Sequence, residues 1–396
     1  MKRTGLWTIV MTLLLSLVCM AADANDKSRG SGQSDDSPDK LRASKAEMFR
    51  EVCGKLYKMA DADEAGAVVA EDNWIFLPNE LRHLSVGAFW GEQAAKVSRA
   101  TRPSHADPLE AIVHYHQQMK ARGIDLLVVP VPPKAIVYAD KIHGIETDAN
   151  GLPPRLDLAH QAFYKLLRSK GVDVLDLTDT LIKARTYTAP KDKSKADPLL
   201  GGKPVDTYCR TDTHFTPAAC EIFARAINRH VKDRPWYAKL DRPLVDKLTT
   251  QMRTVTIRGN LLESAAKVTK DQAALKPEEL TARFVGLAEG DSLSAIPDEP
   301  KAPITLMGDS HTMFFRTGGD MFAKGAGLAD QLMKEMGSKL DVISNKGSGA
   351  RTVRIRFYRA AKDAEYHTAK KLVIWCFSAR EFTEATAWGK IPVPGK

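Results

Sequence analysis

Three residues in two separated stretches have the types and spacing needed for acyl transfer. Ser310 lies in Ile304-Thr305-Leu306-Met307-Gly308-Asp309-Ser310, where an apolar run leads directly into Gly-Asp-Ser. Such a run reads as a strand ending at a sharp turn, with a helix expected to follow. The glycine permits the turn, and the serine is lifted to the end of the sheet. Its own N–H and the start of the helix can then face a developing oxyanion. The competing reading is a plain helix cap, since Asp and Ser are favoured there for ordinary hydrogen-bonding reasons.

Asp212 and His214 form the second stretch, within Arg210-Thr211-Asp212-Thr213-His214-Phe215-Thr216-Pro217. In an extended segment, residues i and i+2 point the same way, so both side chains face one site. A carboxylate there fixes the imidazole tautomer and stabilises the imidazolium. The imidazole would take a serine proton and return it to an oxygen. The bland reading is a packed histidine beside a helix N-capped by Thr216. A metal site built on the pair has no clear third or fourth ligand, and no Cys-x-x-Cys pair offers zinc spacing; no metal and no cofactor are expected. His114 and His116, at i and i+2 on a predicted helix, point to different faces and read as surface or core residues.

The elements that must position these residues follow from hydrophobic patterning. Pro108–Arg122 reads as a helix stopped at Gly123. Ile124–Val131 is a continuous apolar run of the kind found in buried parallel strands. Leu156–Lys170 reads as helix and Val172–Leu177 as strand; Thr216-Pro217 opens a helix to about His230. Asp341–Ser344 and Leu372–Phe377 are further strands. This alternation implies an α/β fold with a mostly parallel sheet covered on both faces. Residues 233–300, charged and Pro-scattered, read as a long insertion on the rim with short strands of its own.

Lys2-Arg3, the apolar run Leu6–Met20 and Ala22-Asp23-Ala24 have the layout of a secretory signal peptide over residues 1–24. An uncleaved anchor is the alternative, though the run is short for a span. Val18 precedes Cys19 where a lipoprotein site wants a small residue. Residues 25–44 read as a polar, flexible leader, and 45–396 as one catalytic domain. The whole chain of 396 residues is 43% hydrophobic and carries a net charge of +9, one unit less once Lys2, Arg3 and Asp23 depart. That basic balance suits an anionic polysaccharide or membrane surface; no basic stripe interleaved with aromatics points to nucleic acid. Of five cysteines, Cys53, Cys209, Cys220 and Cys376 follow the leader. They could pair in any of three ways or stay as buried thiols; a local Cys209–Cys220 bridge would bracket the Asp-His segment.

Taken together, these stretches resemble the alginate O-acetyltransferase family of exported SGNH-hydrolase-like proteins, in that family's order. Asn73-Trp74-Ile75-Phe76-Leu77 is similar to its Gly-Trp-Leu-Phe-Leu element, and Gly123 through Val131-Pro132-Pro133-Lys134, with Val137-Tyr138, to its first core strand and loop. Arg210–Pro217 resembles its Arg-x-Asp-x-His-Trp-Thr-Pro motif, with Phe215 in place of Trp. Gly259-Asn260-Leu261 stands near its Gly-Asp-Leu, and Gly308-Asp309-Ser310 matches its serine block.

The resemblance implies an SGNH-hydrolase-like three-layer α/β/α fold with Asp212, His214 and Ser310 as a triad whose acid–base pair precedes the nucleophile. The wider superfamily places Asp-x-x-His late in the chain; here only Asp363-Ala364-Glu365-Tyr366-His367 lies there, with the wrong spacing. No Gly-x-Asn-Asp block supplies the oxyanion hole. The expected donors are the Ser310 N–H and a backbone N–H from Asn345–Gly349, with Gly347 at its centre; Arg351 or Arg380 is expected to hold an anionic sugar. The implied function is periplasmic transfer of acetyl to a polysaccharide such as alginate, with a membrane-bound O-acyltransferase as donor partner. The rivals are an acetyl-esterase of the same fold and a non-catalytic scaffold of an export complex. The C-terminal carbohydrate-binding module of some relatives is not expected here.

Overall fold

The computed structural model describes residues 37–269, 275–290 and 292–394. The expected signal peptide and most of the expected leader lie outside them. Of residues 1–43, those described form the first turns of a helix, α1 (Pro38–Ala62), which begins inside the stretch expected as leader. The remainder, from Ser44 onward, is one compact unit.

In chain order that unit holds strands β1 (Val68–Val69) and β2 (Ile75–Phe76), then helix α2 (Pro78–Ser85), helix α3 (Pro108–Lys120) and strand β3 (Asp125–Val131). Helix α4 (Leu158–Ser169), strand β4 (Asp173–Val174), and helices α5 (Thr178–Ala184) and α6 (Pro217–Val231) follow. Next come β5 (Leu248–Ile257), α7 (Leu262–Val268), β6 (Glu278–Glu289), β7 (Ser292–Ser294) and β8 (Ile304–Gly308). Then come α8 (Leu328–Met336), β9 (Asp341–Ser344), α9 (Thr352–Ala360), α10 (Ala364–Ala369) and β10 (Leu372–Ser378), followed by a helical turn at Glu381–Glu384.

Five strands make the central sheet in the order β4-β3-β10-β8-β9, every pairing parallel. Apolar residues on both faces of each strand are what such a sheet demands. Along β3, Leu127, Val129 and Val131 enter one core with Phe223 and Ile227 of α6 and Leu332 of α8. Leu126 and Val128 enter the other with Ile112 and Tyr115 of α3, Phe163 of α4 and Phe357 of α9. The result is the expected α/β/α sandwich. Pro130 is tolerated in a central strand because even-numbered residues of β3 address β4, as Val128 does in accepting from Leu175 N–H. The β4 pairing has ended before Pro130, so no ladder bond is lost.

Two expectations need correction. Residues 233–300 are not a rim of short strands: β5 and β6 pair antiparallel over ten residues, and β7 adds a third strand. The helix expected after Ser310 is a single turn, Ser310–Thr312, capped by the Asp309 carboxylate accepting from His311 N–H. Phe315 then takes a left-handed φ of 58°, which stops further helical winding.

Candidate active site

Ser310 sits just past β8, at the carboxyl end of the sheet. Gly308 is required there: a Cβ on it would lie 1.8 Å from the Cys376 carbonyl oxygen and 2.6 Å from Thr312 Cγ2. The close approach of β8 to β10 thus depends on a residue with no side chain.

The Asp-His stretch reaches the serine by a different route from the one its spacing suggested. It is not extended. An antiparallel bridge joins Tyr208 to Phe215, and Cys209 N–H donates to the His214 carbonyl. Between them the chain turns, and Asp212 Oδ1 accepts from the His214 N–H at 3.0 Å, an Asx-type turn. The same oxygen accepts from His214 Nδ1–H at 2.6 Å. Ser310 Oγ–H points at His214 Nε2 across 2.7 Å. Residues nearly a hundred positions apart are thereby joined in one relay, with Asp212 1%, His214 5% and Ser310 6% exposed.

Several groups hold this arrangement. Asn260 N–H donates to Asp212 Oδ2 at 2.7 Å, and the Asn260 side chain bridges Thr213 N–H and Oγ1. Gly259 lets that loop close in, for a Cβ there would be 2.2 Å from the Thr211 carbonyl oxygen. Glu278 on β6 accepts from the N–H groups of Arg210 and Thr211 at 2.7 Å each. Phe314 stacks on the His214 ring at 4.2 Å and 16°, restricting its rotation. Burial pushes the Asp212 carboxyl up, but the bonds from His214 and the Asn260 and His214 N–H groups outweigh it and leave it below the usual carboxylate range.

A second couple lies beside Ser310. Asp309 accepts from His311 Nδ1–H at 3.0 Å and from Ser378 N–H at 2.7 Å. Burial opposes its ionisation, yet the His311 partner, the nearby Arg380 charge and the Ser378 N–H hold its carboxyl well below the usual range. Burial drives His311 the other way, toward the neutral imidazole.

Of the residues expected around the acyl group, Gly347 stands at an exposed apex with open space around it, and Arg351 is exposed at the start of α9. The Asn345 and Gly349 N–H groups are committed to the Gly308 carbonyl and to Glu381. Arg380 is half-buried, donates to Ser378 Oγ at 3.1 Å and acts electrostatically on Asp309. Asn260, Glu278 and Phe314 were missed as site residues. Asn260 left a trace in the Gly259-Asn260-Leu261 stretch, and Phe314 lies just past Ser310 in the serine block, whereas Glu278 comes from chain distant from both stretches. Among the described residues, no group of three or more His, Cys, Asp or Glu side chains stands close enough to hold a metal ion.

A five-stranded parallel sheet between helical layers, with a serine at the end of one strand and a histidine–aspartate pair arriving from an earlier loop, defines an SGNH-like fold. The chain matches the family model described as SGNH hydrolase-like domain, acetyltransferase AlgX, over residues 67–379. It belongs to that family. It is similar to the probable alginate O-acetylase AlgJ of Pseudomonas fluorescens, 24% identical over 257 residues, 65% of this chain and 56% of that one. The chain spans about half the length of the curated relatives it matches. Its fold is similar to the O-acetyltransferase domain of Pseudomonas putida AlgJ, with a TM-score of 0.53 at 20% identity, covering 81% of this chain and 92% of that one. Pseudomonas aeruginosa AlgX gives a TM-score of 0.50 at 16% identity, with 79% of this chain and 61% of that one covered.

Proposed function

We propose that the protein transfers acetyl groups through an acetyl-Ser310 intermediate onto hydroxyls of an exported polysaccharide, in the periplasm. The observation that carries this reading is the continuous relay from Ser310 Oγ through His214 to Asp212, at 2.7 and 2.6 Å. His214 Nε2 takes the Ser310 proton as Oγ attacks the acetyl carbonyl. The tetrahedral intermediate collapses, and the imidazolium returns the proton to the donor's departing oxygen. In the second half-reaction Nε2 takes a proton from a sugar hydroxyl, that oxygen attacks the acyl carbon, and Ser310 leaves with the proton restored. Asp212 holds the ring and stabilises the imidazolium in both halves. The Ser310 N–H is the proposed oxyanion donor.

The alginate named in the relatives is the proposed acceptor, with Arg380 toward its carboxylate. A membrane-bound O-acyltransferase is the proposed donor partner. The basic, apolar, then small-residue pattern of residues 1–24 supports export, and among the described residues no helix is long and apolar enough to cross a membrane.

The test is covalent trapping. Protein incubated with an activated acetyl ester should gain the mass of one acetyl on the Ser310 peptide, and Ser310→Ala should gain none. Adding an oligosaccharide acceptor should move product from free acetate to acetylated sugar. Identical behaviour of wild type and Ser310→Ala would refute the acyl-serine. Acetate release that no acceptor diverts would leave an esterase instead.

A further inference from the structure

Lys134 is 2% exposed, on the segment that follows β3. Its ammonium places all three hydrogens on main-chain carbonyls: Ile75 at 2.6 Å, Arg210 at 2.9 Å and Asp212 at 3.0 Å. The rings of Trp74 and Phe76 flank it, with centroids 5.2 and 5.4 Å from Nζ. Its charge is met by Glu278 on β6, Glu80 on α2 and Asp212, all acting through space. Glu80 itself faces away from direct pairing, accepting from the Ala135 N–H at 2.9 Å, and it also feels Arg380.

A buried cation without a contacting counter-ion is expensive. A methionine of similar length would fill the same space against Trp74 and Phe76 without that cost. What methionine cannot do is tie two carbonyls of the Asp-His turn to β2. Arg210 and Asp212 are two of the three acceptors, so the ammonium grips the main chain on which the acid–base pair is mounted. It also sets a positive charge behind the Asp212 carboxylate.

We propose that Lys134 is a positioning residue for the acyl-transfer relay: its ammonium fixes the Arg210–Asp212 main chain and so the distance between His214 and Ser310. This rests on the acyl-serine reading above. The device is sensitive to alkali. Burial lowers the lysine to about 8, against the opposing pull of Glu278, Glu80 and Asp212. Loss of the proton removes one of three donors and turns a lone pair toward a carbonyl oxygen, so the grip fails as the pH rises through that value.

The experiment measures the rate of Ser310 acetylation by an activated acetyl ester from about pH 6 to about pH 9.5. The wild type should lose rate with a midpoint near 8. Lys134→Met should fold, bind the ester with unchanged KM, react about 10–100-fold more slowly at neutral pH, and show no alkaline fall. Lys134→Arg, which keeps the charge, should recover part of the neutral rate and also lack the fall. A Lys134→Met protein with native circular dichroism and the wild-type rate and pH profile overturns the inference. If that variant does not fold, the wild type decides, and a flat rate across the alkaline range overturns it. Absence of any adduct on wild-type Ser310 overturns the relay and this inference together, whereas an adduct formed equally by Lys134→Met overturns this inference alone.

Discussion

Asp212 receives three hydrogen bonds, from His214 Nδ1, His214 N–H and Asn260 N–H. All three partners are donors, and only a carboxylate accepts from all of them. An asparagine would turn its amide N–H2 toward one donor, either displacing the Asn260 loop or forcing His214 into the tautomer that cannot accept from Ser310. Asp212→Asn should therefore lower the acetylation rate by about 10³–10⁴-fold while the protein stays folded by circular dichroism. A loss below about tenfold would place the carboxylate's role in structure rather than in the relay. The residue types of this relay were legible in the sequence because chemistry restricts them so tightly. Their geometry was not, because an Asx turn, rather than strand alternation, brings Asp212 and His214 to one side. Gly347, expected near the oxyanion, and Arg351, expected to hold an anionic sugar, are both exposed; nothing in a glycine's or a surface arginine's type distinguishes a site loop from any other.

At the scale of elements, the loop Asn345–Ala350 is held against the Asp309-Ser310 turn by one buried side chain. Glu381 accepts from the Gly349 and Ala350 N–H groups at 3.0 and 2.9 Å. Trp375 Nε1–H donates to the Gly349 carbonyl and Trp388 Nε1–H to the Glu381 carbonyl. Gly349 is pressed so closely that a Cβ would lie 3.0 Å from Asp309 Cβ. Burial, with the Asp309 charge, pushes Glu381 up to about 7 despite the two N–H bonds. The folded protein then holds this proton over a range in which the unfolded chain has released it. Stability should fall as pH rises from about 4.5 toward 7, by about 3 kcal/mol in all, and level off beyond. Glu381→Gln cannot ionise, so its thermal midpoint should lack this decline; parallel slopes for the two proteins would refute the assignment. Strands β3, β8 and β10 were readable because buried parallel strands are uninterrupted apolar runs. The β5–β6 hairpin was not, because its sequence (Leu248-Thr249-Thr250-Gln251-Met252-Arg253) exposes most of its length and alternates weakly. Yet that hairpin supplies Glu278, and the connection between its strands supplies Asn260.

For the molecule as a whole, the sequence left open whether Cys53, Cys209, Cys220 and Cys376 pair. All four are free thiols, each buried in the same core. Cys209 and Cys220 bracket the Asp-His turn without bridging it, and Cys209 Sγ–H instead approaches the Phe215 carbonyl at 3.8 Å. Burial raises every one of these thiols above its ordinary value, and the thiolate is the form that attacks disulfides and oxidants. Were the protein exported as proposed, it could carry these unpaired cysteines in an oxidising compartment because folding itself withholds the thiolate. Among the described residues the stability of the fold then owes nothing to disulfides and rests on the two cores flanking the sheet. The thermal midpoint should accordingly be the same with and without dithiothreitol. An aromatic disulfide reagent should label no cysteine in the native protein and all four core cysteines once denaturant has opened it. Labelling of Cys209 in the native state would show that the Asp-His turn opens on its own, and a midpoint lowered by reductant would mean that a bridge forms in solution after all.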